Sequence, residues 1–527
     1  MTTSVSTLGR RAAAAAGIAA VGLLGLSPVA AAEDANYGNI KESANGSLTI
    51  HKHIEGDGTV GTADNQGAQE GSTPVAGVQF TAYPIQELDL KKSTDWPAIT
   101  QMAQPGAIPD SACANPAAPT LAGYTFGAGM TSPDTDQQGL ATISNMPVKA
   151  YLVCETKAPG DIVQKAKPFV VTIPHPNATS GEWLYDVHAF PKNVRASISK
   201  TIDDQQTNGY GLGSYITFPV TTTLPTLDDA AYYKYFRIKD AMDGRLSEVG
   251  VTEVTLSNGT ALVLNTDYQI KTEGQTVNLD FTSAGLDKLK DAKGAELKAI
   301  FRGKVTSVGD GNISNTAQLI TDTGYGNKPP VPENPPADPE NPPTTPPVNT
   351  KWGAVNIRKV DASDTREDGT GLQGAEFQVY NAAEPYADNC STAVKTGNPL
   401  TVNGQDTFTS GPDGNLNIAG LFVSDSVATP GRDNKADAAH RCYVVVETKA
   451  PAGYTIPADA DFEFTVTAGE NTDTVTKIEN TKHAVPNLPL TGASGKLLLT
   501  ASGAALLMVA IGSVLVSRRR ERKQSTL

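Results

Sequence analysis

Three stretches far apart in the chain repeat one pattern of apolar and polar positions. Leu48-Thr-Ile50-His-Lys52, Ala196-Ser-Ile198-Ser-Lys200 and Val355-Asn-Ile357-Arg-Lys359 each alternate and end on a lysine. Residues two apart on a strand share a face, so each stretch predicts a strand whose lysine points, with two apolar neighbours, into a core. Similar runs rich in Val, Ile, Thr and Tyr recur between Gly, Asn, Asp and Pro turns, and predict an all-β protein. Residues 283–297, in a stretch that includes LDKLKDAKGAELKA at 286–299, depart from the alternation and predict a short helix.

The pattern also repeats on a larger scale. PVAGVQFTAY at 74–83 echoes GLQGAEFQVY at 371–380, and YLVCETKAPG at 151–160 echoes YVVVETKAPAGY at 443–454. Two units therefore share one architecture, and the segment between them, which lacks the ETKAP stretch, is a related third. Three tandem Ig-like β-sandwiches are expected, at 33–193, 194–327 and 351–482. Residues 328–347 (KPPVPENPPADPENPPTTPP) cannot join a sheet and predict a stiff polyproline spacer within a linker at 328–350.

Both ends are apolar for other reasons. Arg10 and Arg11 precede an Ala- and Leu-rich stretch at 12–26, and Ala30-Ala31-Ala32 offers a small-residue cleavage site, so residues 1–32 read as a secretory leader. Near the other end, within a tail at 483–527, residues 497–517 are uncharged and are followed by Arg518, Arg519 and Arg520. About 21 residues at ~1.5 Å each just span a bilayer core of ~30 Å, and the arginines keep the last residues cytoplasmic.

The formal charge is −14, with no basic, aromatic-interleaved stretch, which argues against a nucleic-acid partner. All four cysteines lie in the exported part and suit two disulfides. Cys154 and Cys442 sit on the strand face opposite Glu155 and Glu447, and each unit has one further cysteine upstream. The intradomain pairs Cys113–Cys154 and Cys390–Cys442 follow, since other pairings must bridge separate bodies.

Three lysines aimed at cores need partners, because an unpaired buried ammonium is costly and burial favours the neutral, nucleophilic amine. The last strand of each unit offers an asparagine on an apolar face: Asn193 with Ala189 and Pro191, Asn315 with Ile313, and Asn480 with Ile478. Glu155 shares the face of Tyr151 and Val153, and Glu447 that of Tyr443 and Val445; a carboxyl among apolar groups stays protonated more readily. A protonated acid can polarise a carboxamide while a neutral lysine attacks it, giving a lysine–asparagine amide and ammonia.

This arrangement resembles the self-formed isopeptide bonds of Cna-type domains in Gram-positive surface proteins. The resemblance implies B-type domains around Lys359, Glu447 and Asn480 and around Lys52, Glu155 and Asn193. It implies an A-type domain around Lys200 and Asn315, with Asp240 of YFRIKDAMDG as the acid. The C-terminal order Leu488-Pro489-Leu490-Thr491-Gly492, apolar span, basic tail resembles the cell-wall sorting signal read by sortases. That implies cleavage between Thr491 and Gly492, with the Thr491 carbonyl held as a thioester for an amine to attack. WLYDVHAFPKN at 183–193 resembles the pilin motif of sortase-assembled shaft subunits of the SpaA type, WxxxVxVYPKN. Trp183, Val187, Pro191, Lys192 and Asn193 match, while Ala189 and Phe190 replace Val and Tyr. On a continuous strand Lys192 faces away from Asn193 and points outward, where an enzyme reaches it.

The family resemblance implies a covalently polymerised pilus subunit anchored to peptidoglycan, supporting adhesion. Its partners would be pilus-specific and housekeeping sortases, identical subunits, tip and base pilins, and a host or bacterial surface receptor. The alternative is a monomeric wall-anchored adhesin binding a host protein or glycan, which needs the sorting signal but has no use for Lys192. No catalytic constellation for an external substrate and no cofactor is expected. His51 and His53 on one strand face form an incomplete metal site and read as a solvated pair. The acidic loop Asp361, Asp364, Glu367 and Asp368 lacks the spacing of a calcium loop and also reads as solvated.

Overall fold

The computed structural model describes residues 39–54, 61–65, 72–104, 107–115, 117–177, 180–203, 205–227, 229, 231–325, 327–337, 339, 341–366, 369–427, 434–472, 474–484 and 493–524. The expected leader, Glu367, Asp368 and the pentapeptide containing Leu488, Pro489, Leu490, Thr491 and Gly492 lie outside these residues.

Among the described residues the protein is all-β apart from short helices and one long C-terminal helix. In the amino-terminal part, the strand Gly46–His51 lies between Leu140–Met146, antiparallel, and Asp186–Ala189, parallel. Beyond a break at Lys52, His53–Ile54 runs parallel to Lys192–Arg195. A four-stranded antiparallel sheet built on Gln79–Pro84, Lys149–Lys157 and Phe169–Ile173 faces them. The alternation read from the sequence fills the space between: Leu48, Ile50, Phe80, Tyr151 and Val153 form one core. The other face of the second sheet is covered by an insert, where Ile99 and Met102 of the helix Trp96–Met102 pack with Leu152 and Cys154.

The middle part stacks two four-stranded sheets. One centres on Tyr215–Thr223 and Glu296–Val305, the other on Ala231–Ala241 and Thr276–Phe281. Phe218, Ile238, Leu279 and Phe301 are fully buried between them. The expected helix forms over Ser283–Asp291 and stops short of the predicted end, because Gly294 takes a left-handed φ of 78° and Leu297 enters a strand.

The last part opens with the long strand Val348–Asp361, which begins inside the expected linker. It pairs with Asn312–Asn315, which joins this sheet from the middle part of the chain, then with Asn415–Asp425, and in parallel with Thr476–Lys482. The facing sheet is built on Glu376–Ala382, His440–Lys449 and Asp461–Thr467. Phe422 and Trp352 join the middle core, so that core runs on into the last sheets.

The proline-rich tract does not run as a free spacer. The Glu333 N–H donates to the Lys234 carbonyl at 3.0 Å, Leu319 N–H to Pro343 O at 2.9 Å, and Thr345 N–H to Ala317 O at 2.9 Å. Proline lacks a donor but keeps its carbonyl, and the Glu and Thr between the prolines keep both groups, so the tract docks on the edge of the middle sheet. The two disulfides are Cys113–Cys154 and Cys390–Cys442. The C-terminal helix Ala493–Gln524 contains an apolar segment, Thr500–Arg520, long enough to cross a membrane.

Candidate functional sites

In the last sandwich the lysine that ends the apolar alternation is wholly enclosed. Lys359 Nζ donates to Glu447 Oε2 at 2.9 Å and contacts Asn480 Oδ1, while Asn480 Nδ2 donates to Glu447 Oε1 at 2.7 Å. The three groups close a ring of hydrogen bonds in the core beneath Phe377, whose ring centroid is 5.9 Å from the amine. The parallel pairing of first and last strands, with Lys359 opposite Ile478 and Asp361 opposite Asn480, brings Asn480 to the lysine. Burial lowers the Lys359 pKa, only partly opposed by Glu447. The amine is thereby shifted toward its nucleophilic form.

The first sandwich repeats the arrangement. Lys52 Nζ lies 3.1 Å from Glu155 Oε2, and Asn193 Nδ2 donates to Glu155 Oε1 at 3.0 Å. Here the Ala166 backbone N–H also donates to Glu155, at 2.9 Å. The Phe80 ring lies 5.7 Å from the amine. Phe80 and Phe377 hold the same place in the repeated VQF and AEF stretches, so the sequence did carry a signal for these rings.

In the middle sandwich Lys200 contacts Asp240, both with fully buried side chains. Burial moves the two in opposite directions, lowering the lysine and raising the aspartate. Both shifts favour the neutral pair. Asn315 is buried in the same cluster, but its Nδ2 donates to Met242 Sδ at 3.2 Å. Met242 follows Asp240 by two positions on the same face; alternation alone offered it only as a core residue. Phe218 and Phe301 lie 4.9 and 5.8 Å from the Lys200 amine.

Lys192 is placed less openly than expected. The strand carrying the motif breaks at Phe190 and Pro191 and resumes at Lys192, which pairs with His53. Lys192 is half-buried, its Nζ 3.4 Å from Ser72 Oγ, while Asn193 is buried on the opposite face. Trp183 of the same motif packs on Trp96 of the insert, with centroids 5.6 Å apart, and donates to Asn39 at 2.9 Å. Nothing in the motif's own spacing points to that contact.

The two histidines do not form a solvated pair, because the break at Lys52 turns them apart. His51 meets His188 at 2.8 Å and stacks on Phe190, whereas His53 is buried against Ser72. Nor is Asp361 solvated: it is buried, accepts from Tyr454 at 3.1 Å and pairs with Lys482 at 2.7 Å. Asp364 is taken up by Arg366 and Thr370.

A family model described as the N-terminal D1 domain of Gram-positive pilin subunits matches residues 43–194. One described as a prealbumin-like fold domain matches 353–482, and one for the LPXTG cell wall anchor motif matches 480–523. The sequence is 57% identical to the fimbrial subunit type 2 of Actinomyces naeslundii over 99% of this chain and 98% of that one. It is 32% identical to the fimbrial subunit type 1 of Actinomyces viscosus over 92% of each. The structure of the full-length major pilin SpaD from Corynebacterium diphtheriae, 29% identical, matches 85% of this chain and 100% of that one with a TM-score of 0.64. With the all-β fold, these matches define a surface protein of the pilus class, anchored to the cell wall. The chain belongs to the Gram-positive fimbrial subunits.

Proposed function

We propose that this chain is the major shaft subunit of a covalent pilus, with sandwiches at 33–193, 194–327 and 351–482. In this reading a sortase cleaves between Thr491 and Gly492 and holds the Thr491 carbonyl as a thioester. The neutral Lys192 amine of another copy attacks that carbonyl, an amide forms, and the sortase thiol leaves with a proton. The apolar segment Thr500–Arg520 keeps the signal at the membrane until cleavage. A last transfer, to peptidoglycan, anchors the fibre.

Within each subunit, three amides form without an enzyme. Lys359 attacks the Asn480 carboxamide with Glu447 as proton carrier, Lys200 attacks Asn315 with Asp240, and Lys52 attacks Asn193 with Glu155. Each step makes one C–N bond, breaks another and releases ammonia. The observation that carries the polymer reading is the back-to-back placement of Lys192 and Asn193. Lys192 is half-buried at the end of the first sandwich, against Ser72, and Asn193 is buried in its core. That placement supports the reading of Lys192 as an acceptor amine held on a rigid mount.

The test is a denaturing gel of cell-wall extract, immunoblotted, comparing wild type with Lys192→Ala. A high-mass ladder in wild type that collapses in the variant is expected. A ladder that survives moves the acceptor elsewhere. No ladder in either leaves a monomeric anchored adhesin.

A further inference from the structure

The surroundings of Lys192 are more built than a solvated acceptor requires. His53 lies between two chain segments. On one side it pairs with Lys192; on the other it bridges to Pro74, with Ile54 N–H donating to Thr73 O at 2.8 Å and Val75 N–H to Lys52 O at 3.0 Å. These bonds fix the backbone of residues 72–75 beside the motif. His53 Nδ1 lies 3.1 Å from the Ser72 carbonyl oxygen and 3.0 Å from Ser72 Oγ. A carbonyl oxygen only accepts, so this contact assigns the proton to Nδ1, which donates to Ser72. Ser72 Oγ then accepts from Lys192 Nζ at 3.4 Å.

The ring stays neutral in this setting. Burial lowers its pKa first of all, the Ser72 carbonyl partly opposes that, and Lys192 and Lys52 lower it further. His51, on the adjoining strand, is a further titratable neighbour, and its own pKa is lowered in part by His53. An uncharged imidazole can therefore sit beside the lysine without repelling it.

We propose that Ser72 and His53 are positioning residues for the acceptor lysine: His53 fixes Ser72, and Ser72 Oγ holds the Lys192 amine in one orientation before the sortase thioester arrives. The inference rests on Lys192 being the acceptor. A lysine stem is rotamer-rich, and ordering it in advance removes an entropic cost from the encounter. Neither residue touches the thioester, so the effect belongs to the rate of capture and not to the chemistry of the leaving thiol.

The experiment uses the purified full chain as acceptor, its sortase, and a fluorescent peptide containing Leu-Pro-Leu-Thr-Gly as donor. Initial rates of labelling are compared for wild type, Ser72→Ala, Ser72→Thr, His53→Gln and Lys192→Ala. Ser72→Ala and His53→Gln should each lower kcat/KM for the acceptor by about 3–10-fold. Ser72→Thr, which keeps the hydroxyl, should restore the wild-type value. Competitive acetylation of the chain alone, read by mass spectrometry, should show Lys192 changed relative to other lysines in Ser72→Ala and not in Ser72→Thr. Labelling that needs Lys192 but is unchanged in Ser72→Ala and His53→Gln overturns the positioning role alone. A loss in Ser72→Ala that Ser72→Thr does not repair also overturns it, since the hydroxyl is then not the active feature. Labelling that persists in Lys192→Ala overturns the reading beneath it.

Discussion

The Lys359, Glu447 and Asn480 cluster gives the most quantitative prediction. Glu447→Ala removes the acceptor of two hydrogen bonds, 2.9 Å from Lys359 and 2.7 Å from Asn480, in a site where Lys359 and Glu447 have fully buried side chains. Leaving the amine without its carboxylate costs about 3–5 kcal/mol. If the amide depends on Glu447, the variant also loses a cross-link between residues 121 apart in sequence, worth about 5 kcal/mol in chain entropy. Spread over the last sandwich, that second loss alone lowers its melting temperature by about 15–20 °C. Asn480→Ala separates the two effects, since it forbids the amide while keeping Lys359 against Glu447. Intact mass gives the direct reading, because each amide lowers the encoded mass by about 17 Da of ammonia. Wild type should show the deficit for this site, and both variants should lack it. The reasoning fails if Glu447→Ala keeps the wild-type deficit, or if wild type has the encoded mass after reduction of its disulfides.

Three further outcomes follow from particular contacts. His51 has a pKa pushed down to about 4, chiefly by burial and then by His188 and His53, from an ordinary value near 6.5. Unfolding then takes up a proton between those values, so stability present above pH 6.5 is lost as the pH falls toward 4. Urea midpoints of His51→Phe should fall less steeply over that range than wild type, and an unchanged slope would refute the assignment. Replacing both Cys390 and Cys442 by serine opens a 52-residue separation and should cost on the order of 4 kcal/mol in the last sandwich, measured by calorimetry. Tyr210 lies 4.5 Å over the buried Arg441 guanidinium, and its carbonyl accepts from Phe422 N–H at 2.8 Å. Tyr210→Ala should cost about 3–5 kcal/mol, read as a lowered midpoint in calorimetry; an unchanged midpoint would count against that contact.

Much of the site was legible because alternation is a strong signal. Leu48, Ile50 and Lys52, or Val355, Ile357 and Lys359, could share a buried face only if the lysine met a partner, and the repeated glutamate and terminal asparagine were on faces able to supply it. What escaped the reading depends on segments distant in sequence. Ser72 reaches Lys192 only because chain 72–75 runs beside His53. Met242 takes up Asn315 through a thioether that sequence scores simply as apolar. The proline tract docks on its sheet because its intact carbonyls and the N–H groups between the prolines make bonds that a composition poor in donors does not announce. The break at Phe190 and Pro191 likewise half-buried a lysine that a continuous strand would present to solvent.

With Lys192 as the proposed acceptor, its position at the end of the first sandwich would decide which parts of a polymer feel a pull. In a fibre joined from Lys192 to Thr491, force enters the backbone at 192 and leaves at 491, so residues 39–191 hang beside the line of pull. An amide from Lys52 to Asn193 would guard that side body without carrying the fibre's load. Amides at Lys200–Asn315 and Lys359–Asn480 would shunt force across residues 201–314 and 360–479, sheltering the Cys390–Cys442 bridge. What stays in line is 192–200, 315–359 and 480–491. The middle of these holds the proline tract, fastened to its sheet by bonds such as Leu319 N–H to Pro343 O and Glu333 N–H to Lys234 O. In such a fibre these bonds would bear the pull together with the strands Ala317–Tyr325 and Val348–Asp361 of the same interval, in series with the loops that the amides close.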